Sequence, residues 1–256
     1  LSNNLTKECS GSTPAMRIAV LSDIHGNLEA FQAVIVDMEQ HQPDKVICLG
    51  DLIGYGPDPE EVVSLFQQKC YVSVLGNHEA ALQTKKLRNK LNFQARENSH
   101  RTEDLLSPGS ITFCCGLQKN ATFADALYVH GFPPASVLQY ITMTPDDQIA
   151  AYFQNSKNNF CFVGHSHDLL LISWKNAQVD KQKLAKGVHS LSSSAKYIIN
   201  AGSVGQPRDG NNNAKYLLWD TDKNSIEVRY VPYDINITIQ KILDRGFPKA
   251  YGQRLR

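Results

Sequence analysis

The sequence shows no excess of charge of either sign, and this lack excludes several classes of binding protein. Lysine and arginine number 26 against 25 aspartates and glutamates, so the net charge is +1. A chain without a basic excess has no general electrostatic attraction for nucleic acid or for an anionic membrane. If the substrate is anionic, its attraction must therefore be local, and bound cations are one source of it.

Long hydrophobic runs are also missing, although 42% of the residues are hydrophobic and can build a large core. No run approaches the roughly 18 apolar residues of a membrane-spanning helix. The first 15 residues are polar and lack the apolar segment of a secretory signal. Because Met16 directly precedes the first predicted strand, we expect residues 1–15 to be a disordered tail or an extension ahead of the true start.

The six cysteines contain no Cys-x-x-Cys pair. Cys48 and Cys161 lie in apolar runs, as expected of small buried hydrophobic residues. The adjacent Cys114 and Cys115 are interpreted as part of a strand rather than as a metal clamp. This pattern favours a reducing compartment over a disulfide scaffold, and it predicts a cytoplasmic protein.

The first part of the chain alternates apolar runs with amphipathic segments. Strands are predicted at 17–22, 45–49 and 70–75, with helices at 28–39 and 60–68 between them. Continuously apolar strands separated by helices are typical of a parallel sheet that is covered on both faces.

The rest of the chain predicts a polar helical region followed mostly by short strands. Helices are expected at 80–107, 145–154 and 235–244. Strands are expected at 111–115, 121–123, 127–130, 160–163, 169–174, 197–200, 216–220 and 225–232. With no internal repeat and no low-complexity linker, we interpret 16–256 as one domain of the α/β class, with two packed sheets and helices outside.

Five segments each end a short apolar run with side chains that bind metals. They are Asp23-Ile24-His25, Gly50-Asp51, Gly76-Asn77-His78-Glu79, His130-Gly131 and Gly164-His165-Ser166-His167. Any one alone would be an ordinary turn sequence. Because ligands bind beyond the carboxyl ends of parallel strands, we expect the five segments to converge. Their imidazoles and carboxylates suit Mn, Fe, Zn, Co or Ni rather than Ca, and two adjacent metals of this kind mostly break phosphate esters.

This ordered set resembles the calcineurin-like metallophosphoesterase superfamily over residues 23–167, and residues 200–208 are similar to it as well. The resemblance implies a four-layer αββα sandwich and a hydroxide that bridges two metals and attacks phosphorus. It places the first metal on Asp23, His25, Asp51 and His167. It places the second metal on Asp51, Asn77, His130 and His165. It also implies that His78 is the catalytic histidine, and we expect manganese first, with iron, zinc, nickel or cobalt as alternatives.

Two positions depart from the pattern of the protein serine/threonine phosphatases in this superfamily. Gly54 stands where those enzymes have a second aspartate, and Leu75 stands where they have an arginine. The segment 50–57 is instead similar to small stand-alone bacterial or archaeal phosphoesterases. We therefore predict a small phosphodiester or a nucleotide as substrate. The alternatives are a phosphomonoesterase, including a protein phosphatase, and a non-catalytic metal-bound scaffold, although the intact His78 weighs against the scaffold.

Other polar residues support competing interpretations. Glu79 either contacts the surroundings of the site or faces the positive end of a helix, and we do not count it as a ligand. Tyr55 is predicted to line the cleft, and Arg208 is predicted either to hold a substrate phosphate or to pair with a carboxylate. We assign His41, His100, His189 and Arg96 to the surface or the core. The aromatic residues Tyr216, Trp219, Tyr230 and Tyr233 are interpreted as core, so we expect no sequence-specific nucleic-acid binding, and the oligomeric state stays open.

Overall fold

The computed structural model describes residues 15–69 and 71–256. The predicted tail at 1–15 lies outside the described residues except for Ala15, as does Cys70. Within the part of the chain that is described, no helix is both long and apolar enough to cross a membrane.

The strands and helices occur in the following order along the chain. The strands are β1 (Arg17–Leu21), β2 (Lys45–Cys48), β3 (Val72–Ser73), β4 (Asn120–Phe123), β5 (Ala126–Val129), β6 (Phe160–Val163), β7 (Leu169–Lys175), β8 (Gln178–Lys183), β9 (Gly187–Ser190), β10 (Lys196–Ala201), β11 (Ala214–Asp220) and β12 (Ser225–Val231). The helices are α1 (Leu28–His41), α2 (Pro59–Gln68), α3 (Asn77–Gln83), α4 (Lys85–Arg88), α5 (Phe93–Asp104), α6 (Pro108–Cys115), α7 (Asp146–Asn155), α8 (Ile235–Asp244) and α9 (Lys249–Gln253), with a 3-10 turn at Ile141–Met143.

The strands form two mixed six-stranded sheets. The first has the order β3-β2-β1-β11-β12-β9, and its strands β1, β2 and β3 are parallel, as predicted. The second has the order β4-β5-β6-β10-β7-β8, with β5, β6 and β10 parallel. The two parallel groups direct the carboxyl ends of β1, β2, β5 and β6 towards the segments that carry the predicted ligands.

Alternating side chains of the strands fill different layers of the core. In β1, Ile18 and Val20 pack between the two sheets, whereas Ala19 and Leu21 pack under α1 and α2. On the far side, α7 covers the second sheet through a third buried cluster. Both faces of these strands are buried, which explains their continuous apolar runs. The α/β sandwich of two sheets flanked by helices is therefore confirmed.

One predicted strand is wrong, because residues 111–115 belong to α6. Ser107 caps this helix by accepting a hydrogen bond from the Ser110 N–H at 3.2 Å, and Pro108 occupies its first turn. These start signals override the strand preference of the β-branched and aromatic residues that follow them. The predicted strand at 70–75 is reduced to β3 and an isolated bridge between Val74 and Gln118.

Candidate metal centre

The five ligand-bearing segments meet at one edge of the sandwich. Asp23 and His25 follow β1, and Asp51 follows β2. His130 follows β5, and the segment with His165 and His167 follows β6. Asn77 and His78 open α3. All of these side chains are buried, with none more than 6% exposed.

The backbone of the centre is strained. Several non-glycine residues adopt the left-handed region, with φ between 50° and 66°; they are Asp23, His25, Asp51, Tyr55, His165 and His167. This conformation costs a residue with a β-carbon roughly 1–2 kcal/mol, so surrounding contacts must enforce it. Backbone hydrogen bonds between the strand ends do so, including His25 N to Asp51 O at 2.9 Å and Gly164 N to His130 O at 2.8 Å. Strain of this kind clusters at functional sites.

The first group of candidate ligands consists of Asp23, His25 and His167. Oδ1 of Asp23 lies 3.2 Å from Nε2 of His167 and 3.6 Å from Nε2 of His25. The two imidazole nitrogens are 3.1 Å apart. These atoms all lie within 4.8 Å of one another, and their residues are three of the four that the resemblance implies for the first metal.

The second group consists of Asp51, Asn77, His130 and His165. Nε2 of His130 lies 3.3 Å from Oδ2 of Asp51, 2.9 Å from Oδ1 of Asn77 and 3.2 Å from Nδ1 of His165. The same Oδ2 of Asp51 is 3.8 Å from Nε2 of His25 in the first group. Asp51 thus stands between the two groups.

The outer nitrogens of the four imidazoles fix the tautomers of their rings. Nδ1 of His25, His130 and His167 each faces a backbone carbonyl, of Ile53, Leu49 and Gln206 respectively. Nε2 of His165 faces the carbonyl of Leu138 at 3.2 Å. A carbonyl only accepts, so each outer nitrogen carries the proton of the neutral ring. The inner nitrogens therefore face one another, where their lone pairs are available to bind a cation.

The pKa values of the candidate ligands describe the charges within the centre. Although burial opposes it, interactions with the neighbouring histidines lower the pKa values of Asp23 and Asp51 well below their usual range. Burial lowers the pKa of His165 to about 3 and that of His167 to about 4, so both rings stay neutral. Burial also opposes protonation of His130, but the negative charge of Asp51 outweighs burial and raises the pKa of His130 to about 9, so this ring holds a proton against Asp51 when no metal is bound. Once a metal ion displaces that proton, ionised carboxylates beside neutral imidazoles form a ligand set for divalent transition metals.

One further atom supports the fit to metal ions. Oδ1 of Asp23 is buried and has no hydrogen-bond partner among the described residues. A buried carboxylate oxygen left in this condition is costly unless a cation meets it. The residues present therefore fit two metal positions that share Asp51.

His78 lies beside Asp51, and its backbone N–H donates to Oδ1 of Asp51 at 2.9 Å. Burial lowers the pKa of its ring to about 3. The ring makes edge contacts with Tyr55 and His25, at centroid distances of 4.8 and 5.0 Å. The neutral imidazole therefore lies next to both Tyr55 and the candidate ligand His25.

A cleft of about 340 Å³ opens above the two groups. Tyr55, which we predicted to line the cleft, is among its lining residues, and so is Arg208, whereas Arg96 and His100 are not. Three further residues, Lys90, Asn92 and Tyr140, also line it and were not predicted. Tyr140 stacks on His165 with ring centroids 3.9 Å apart. None of these three belongs to a motif, and only their polarity or aromatic character near predicted loops could have drawn attention to them.

Glu79, which we did not count as a ligand, binds the backbone around the centre. Its carboxylate accepts hydrogen bonds from the backbone N–H groups of Asp51, Ile53 and Gly76 at 2.9, 3.2 and 3.0 Å. It therefore fixes the loops that carry Asp51 and Asn77. Backbone acceptors such as Leu49 and Gln206 carry no signal in the sequence, because any residue can supply a carbonyl.

Known proteins share this architecture. The model of the calcineurin-like phosphoesterase family matches residues 16–169. An uncharacterized protein of Methanocaldococcus jannaschii is 34% identical over 243 residues, which are 93% of this chain and 96% of that protein.

Two solved structures support the same assignment of fold. A metallophosphoesterase from Sphaerobacter thermophilus is 33% identical, with a TM-score of 0.82, over 94% of this chain and 98% of its own. A hypothetical protein from Pyrococcus horikoshii OT3 shares the fold at 17% identity, with a TM-score of 0.76, over 93% of this chain and 97% of its own. Because the family model matches residues 16–169 and the relative from Methanocaldococcus jannaschii is 34% identical, the chain belongs to the calcineurin-like phosphoesterase family.

Proposed function

We propose that the chain is a phosphoester hydrolase that uses two divalent metal ions and acts on a small phosphodiester or a nucleotide. Membership of the family implies hydrolysis of phosphoesters and binding of divalent metals. The observation that carries the proposal is the convergence of four imidazole lone pairs and two carboxylates on two adjacent positions under one cleft.

The proposed ligands are the residues that the resemblance implies. Asp23, His25 and His167 would hold one ion, and Asn77, His130 and His165 the other, with Asp51 shared. The bound ions would supply Lewis acidity, which activates water and stabilises charge on the phosphoryl oxygens. Mixed nitrogen and oxygen ligands with a neutral carboxamide suit manganese, and they also admit iron, zinc, nickel and cobalt.

His78 is proposed as the catalytic residue of this chain. Its neutral ring can donate one N–H to a phosphoryl oxygen or to the oxygen of the leaving group. Its depressed pKa keeps the ring neutral, so its contribution is a hydrogen bond from its N–H rather than a fixed charge.

The cleft supplies the remaining contacts. Arg208 and Lys90 are exposed cations in its lining, and Tyr55 and Tyr140 are its aromatic side chains. An arginine fork can bind an anionic oxygen pair, and a tyrosine ring can lie against an organic leaving group. These features support a substrate that joins a phosphate to a small planar or polar group.

The test is metal content measured together with hydrolysis of bis-para-nitrophenyl phosphate and para-nitrophenyl phosphate. We expect about two metals per chain, faster turnover of the diester, and loss of turnover in Asp51→Ala and His78→Ala. Two metals without any turnover would favour the scaffold. Absence of bound metal after incubation with manganese would refute the proposed centre.

A phosphomonoesterase is the second candidate. Lys90 and Arg208 offer more positive charge than a diester needs, and a monoester carries the additional negative charge. Faster hydrolysis of the monoester in the same assay would select this alternative.

A further inference from the structure

We propose that Asn98 and Tyr55 are positioning residues that orient His78. They would do so in place of the second aspartate of the protein serine/threonine phosphatases, at whose position this chain has Gly54. The inference rests on the proposed function, because it assigns His78 a part in hydrolysis. The observations that carry it concern the loop after Asp51, the ring of Tyr55 and a buried amide on α5.

Gly54 leaves no room for a side chain that could hold His78. A β-carbon at this position would lie 2.1 Å from Nδ1 of the His78 ring. The backbone of Gly54 also has a φ of +93°, which residues with side chains rarely adopt. The imidazole thus occupies the space that an aspartate would need, so its orientation must come from elsewhere.

Tyr55 supplies that support through its ring. It is 5% exposed and lies edge-on to His78, with centroids 4.8 Å apart and planes at 61°. The same ring touches His25 at 4.9 Å and Tyr251 of α9 at 5.6 Å. The Tyr55 ring therefore packs against the candidate ligand His25, the His78 ring and the C-terminal helix α9. Edge-to-face contacts of this kind are directional.

Asn98 holds the backbone from which this ring projects. Tyr55 has a φ of +60°, so its conformation needs external support. Oδ1 of Asn98 accepts the N–H of Tyr55 at 2.6 Å and the hydroxyl of Thr102 at 3.1 Å. Both lone pairs of the amide oxygen are thereby used, and Asn98 is 1% exposed. The bond connects α5 to the loop that carries Tyr55.

A role limited to stability is the competing explanation, since any buried hydrogen bond contributes to folding. The two explanations differ in one respect. A positioning residue acts on turnover only while His78 is present, whereas a structural residue acts whether or not His78 is present. A double-mutant cycle measures this difference directly.

The experiment compares Asn98→Leu in the wild-type and His78→Ala backgrounds. Asn98→Asp keeps the acceptor oxygen and serves as the rescue variant. Ser99→Ala is the matched control, because Ser99 is buried on the same helix and, among the described residues, its hydroxyl bonds only to Arg96 O. The readouts are kcat and KM with para-nitrophenyl esters, metal content, and the His78 ring resonances of the metal-free protein by NMR.

With His78 present, we expect Asn98→Leu to lower kcat about tenfold with KM and metal content unchanged, because a hydrogen-bond donor to the phosphoryl group contributes through its placement. In the His78→Ala background the same substitution should change kcat less than about twofold. The His78 resonances should shift or broaden in Asn98→Leu and return in Asn98→Asp. Ser99→Ala should match the wild type in each readout.

Equal loss of kcat in both backgrounds would overturn the inference, as would unchanged His78 resonances in Asn98→Leu. If Asn98→Leu does not fold, Tyr251→Leu tests the same support from the other side of Tyr55. If the wild-type protein hydrolyses no phosphoester, the proposed function fails, and the metal-free resonances alone then decide the positioning inference.

Discussion

At the scale of single residues, Glu79 shows how one buried carboxylate can organise a metal centre without being one of its candidate ligands. Burial and the charge of Asp51 raise its pKa to about 7, while three backbone N–H groups hold the carboxylate in place. Glu79→Gln would turn an amide donor towards at least one of those N–H groups. We expect a loss of about 1–3 kcal/mol in the free energy of unfolding, measured by urea denaturation.

The exposed Glu97 provides the control for this substitution. Glu97→Gln on α5 should change the free energy of unfolding by less than about 0.5 kcal/mol. Equal stability of Glu79→Gln and the wild type would mean that the three hydrogen bonds are not needed.

Gly76 packs directly against the side chains of Asp51 and Glu79. A β-carbon there would lie 2.1 Å from Oδ1 of Asp51 and 2.5 Å from Oε2 of Glu79. Gly76→Ala should therefore displace Asp51 and reduce the metal content well below two per chain, as elemental analysis would show. Gly109→Ala is the control, since its nearest neighbour would be 3.8 Å away. Full metal content in Gly76→Ala would contradict the shared role of Asp51.

Arg208 allows a test of binding separate from chemistry. Its only described hydrogen bond is to Oε1 of Gln206 at 3.3 Å, so its guanidinium retains free donors in the cleft. Arg208→Ala should raise KM about tenfold and change kcat much less, because a contact made equally in ground and transition states affects binding alone. Lys186→Ala removes the same charge from an exposed position outside the cleft lining and should leave KM unchanged.

At the scale of elements, Asp37 fastens α1 to the first sheet. Its carboxylate accepts the hydroxyl of Tyr216 on β11 at 2.6 Å and a nitrogen of Arg229 on β12 at 2.8 Å. Burial alone would raise the pKa of Asp37, but the bonds from Arg229 and Tyr216 outweigh it and lower the pKa. A folded-state pKa below the unfolded value means that this group stabilises the protein above about pH 4, and the stabilisation is lost as the pH falls through the folded-state pKa.

Asp37→Asn should therefore reduce the free energy of unfolding by about 1–2 kcal/mol at pH 7 and by less near pH 3. Chemical denaturation at both pH values measures the difference. Asp222→Asn, at an exposed position, is the control. An equal loss at both pH values would show that the ionised carboxylate is not what fastens the helix.

The elements also show which parts of the fold can be predicted from sequence. Strands β1 and β2, which precede Asp23 and Asp51, are apolar along their length because both of their faces are buried. This continuous apolar character predicted their parallel pairing. Residues 111–115 have a composition that suits a strand, and the helix start signals at Ser107 and Pro108 are what distinguish them as a helix. Local propensity decides little when a cap a few residues away favours another conformation.

In the candidate site, the side chains at the ends of β1, β2, β5 and β6 were predictable because the fold class places strand ends together. Tyr140 and Lys90 were not, because their place in the cleft depends on how loops pack over the sheets. The same holds for Asn98, whose partner Tyr55 is 43 positions away in the chain.

At the scale of the whole molecule, the centre joins the two sheets. Asp23, His25 and Asp51 follow strands of the first sheet, whereas His130, His165 and His167 follow strands of the second. A bound ion would therefore link the sheets and bind only the folded chain. We expect manganese at about 100 times its Kd to add about 2.7 kcal/mol to the free energy of unfolding, and EDTA to remove it.

For a chain of this size, that stabilisation corresponds to a rise in Tm of roughly 5–10 °C, measured by scanning calorimetry. Asp51→Ala should show little response to manganese. A Tm that does not depend on manganese in the wild type would place the ions, if bound, outside the junction of the sheets.

The junction has a consequence for the order of events during folding. The N–H of His165 donates to Oδ2 of Asp23 at 3.0 Å across 142 positions of the chain. Such a contact requires closure of a very long loop, which is entropically costly and slow to reach. We therefore expect the centre to form late in folding, so that recovery of metal binding during refolding lags behind the recovery of helical circular dichroism.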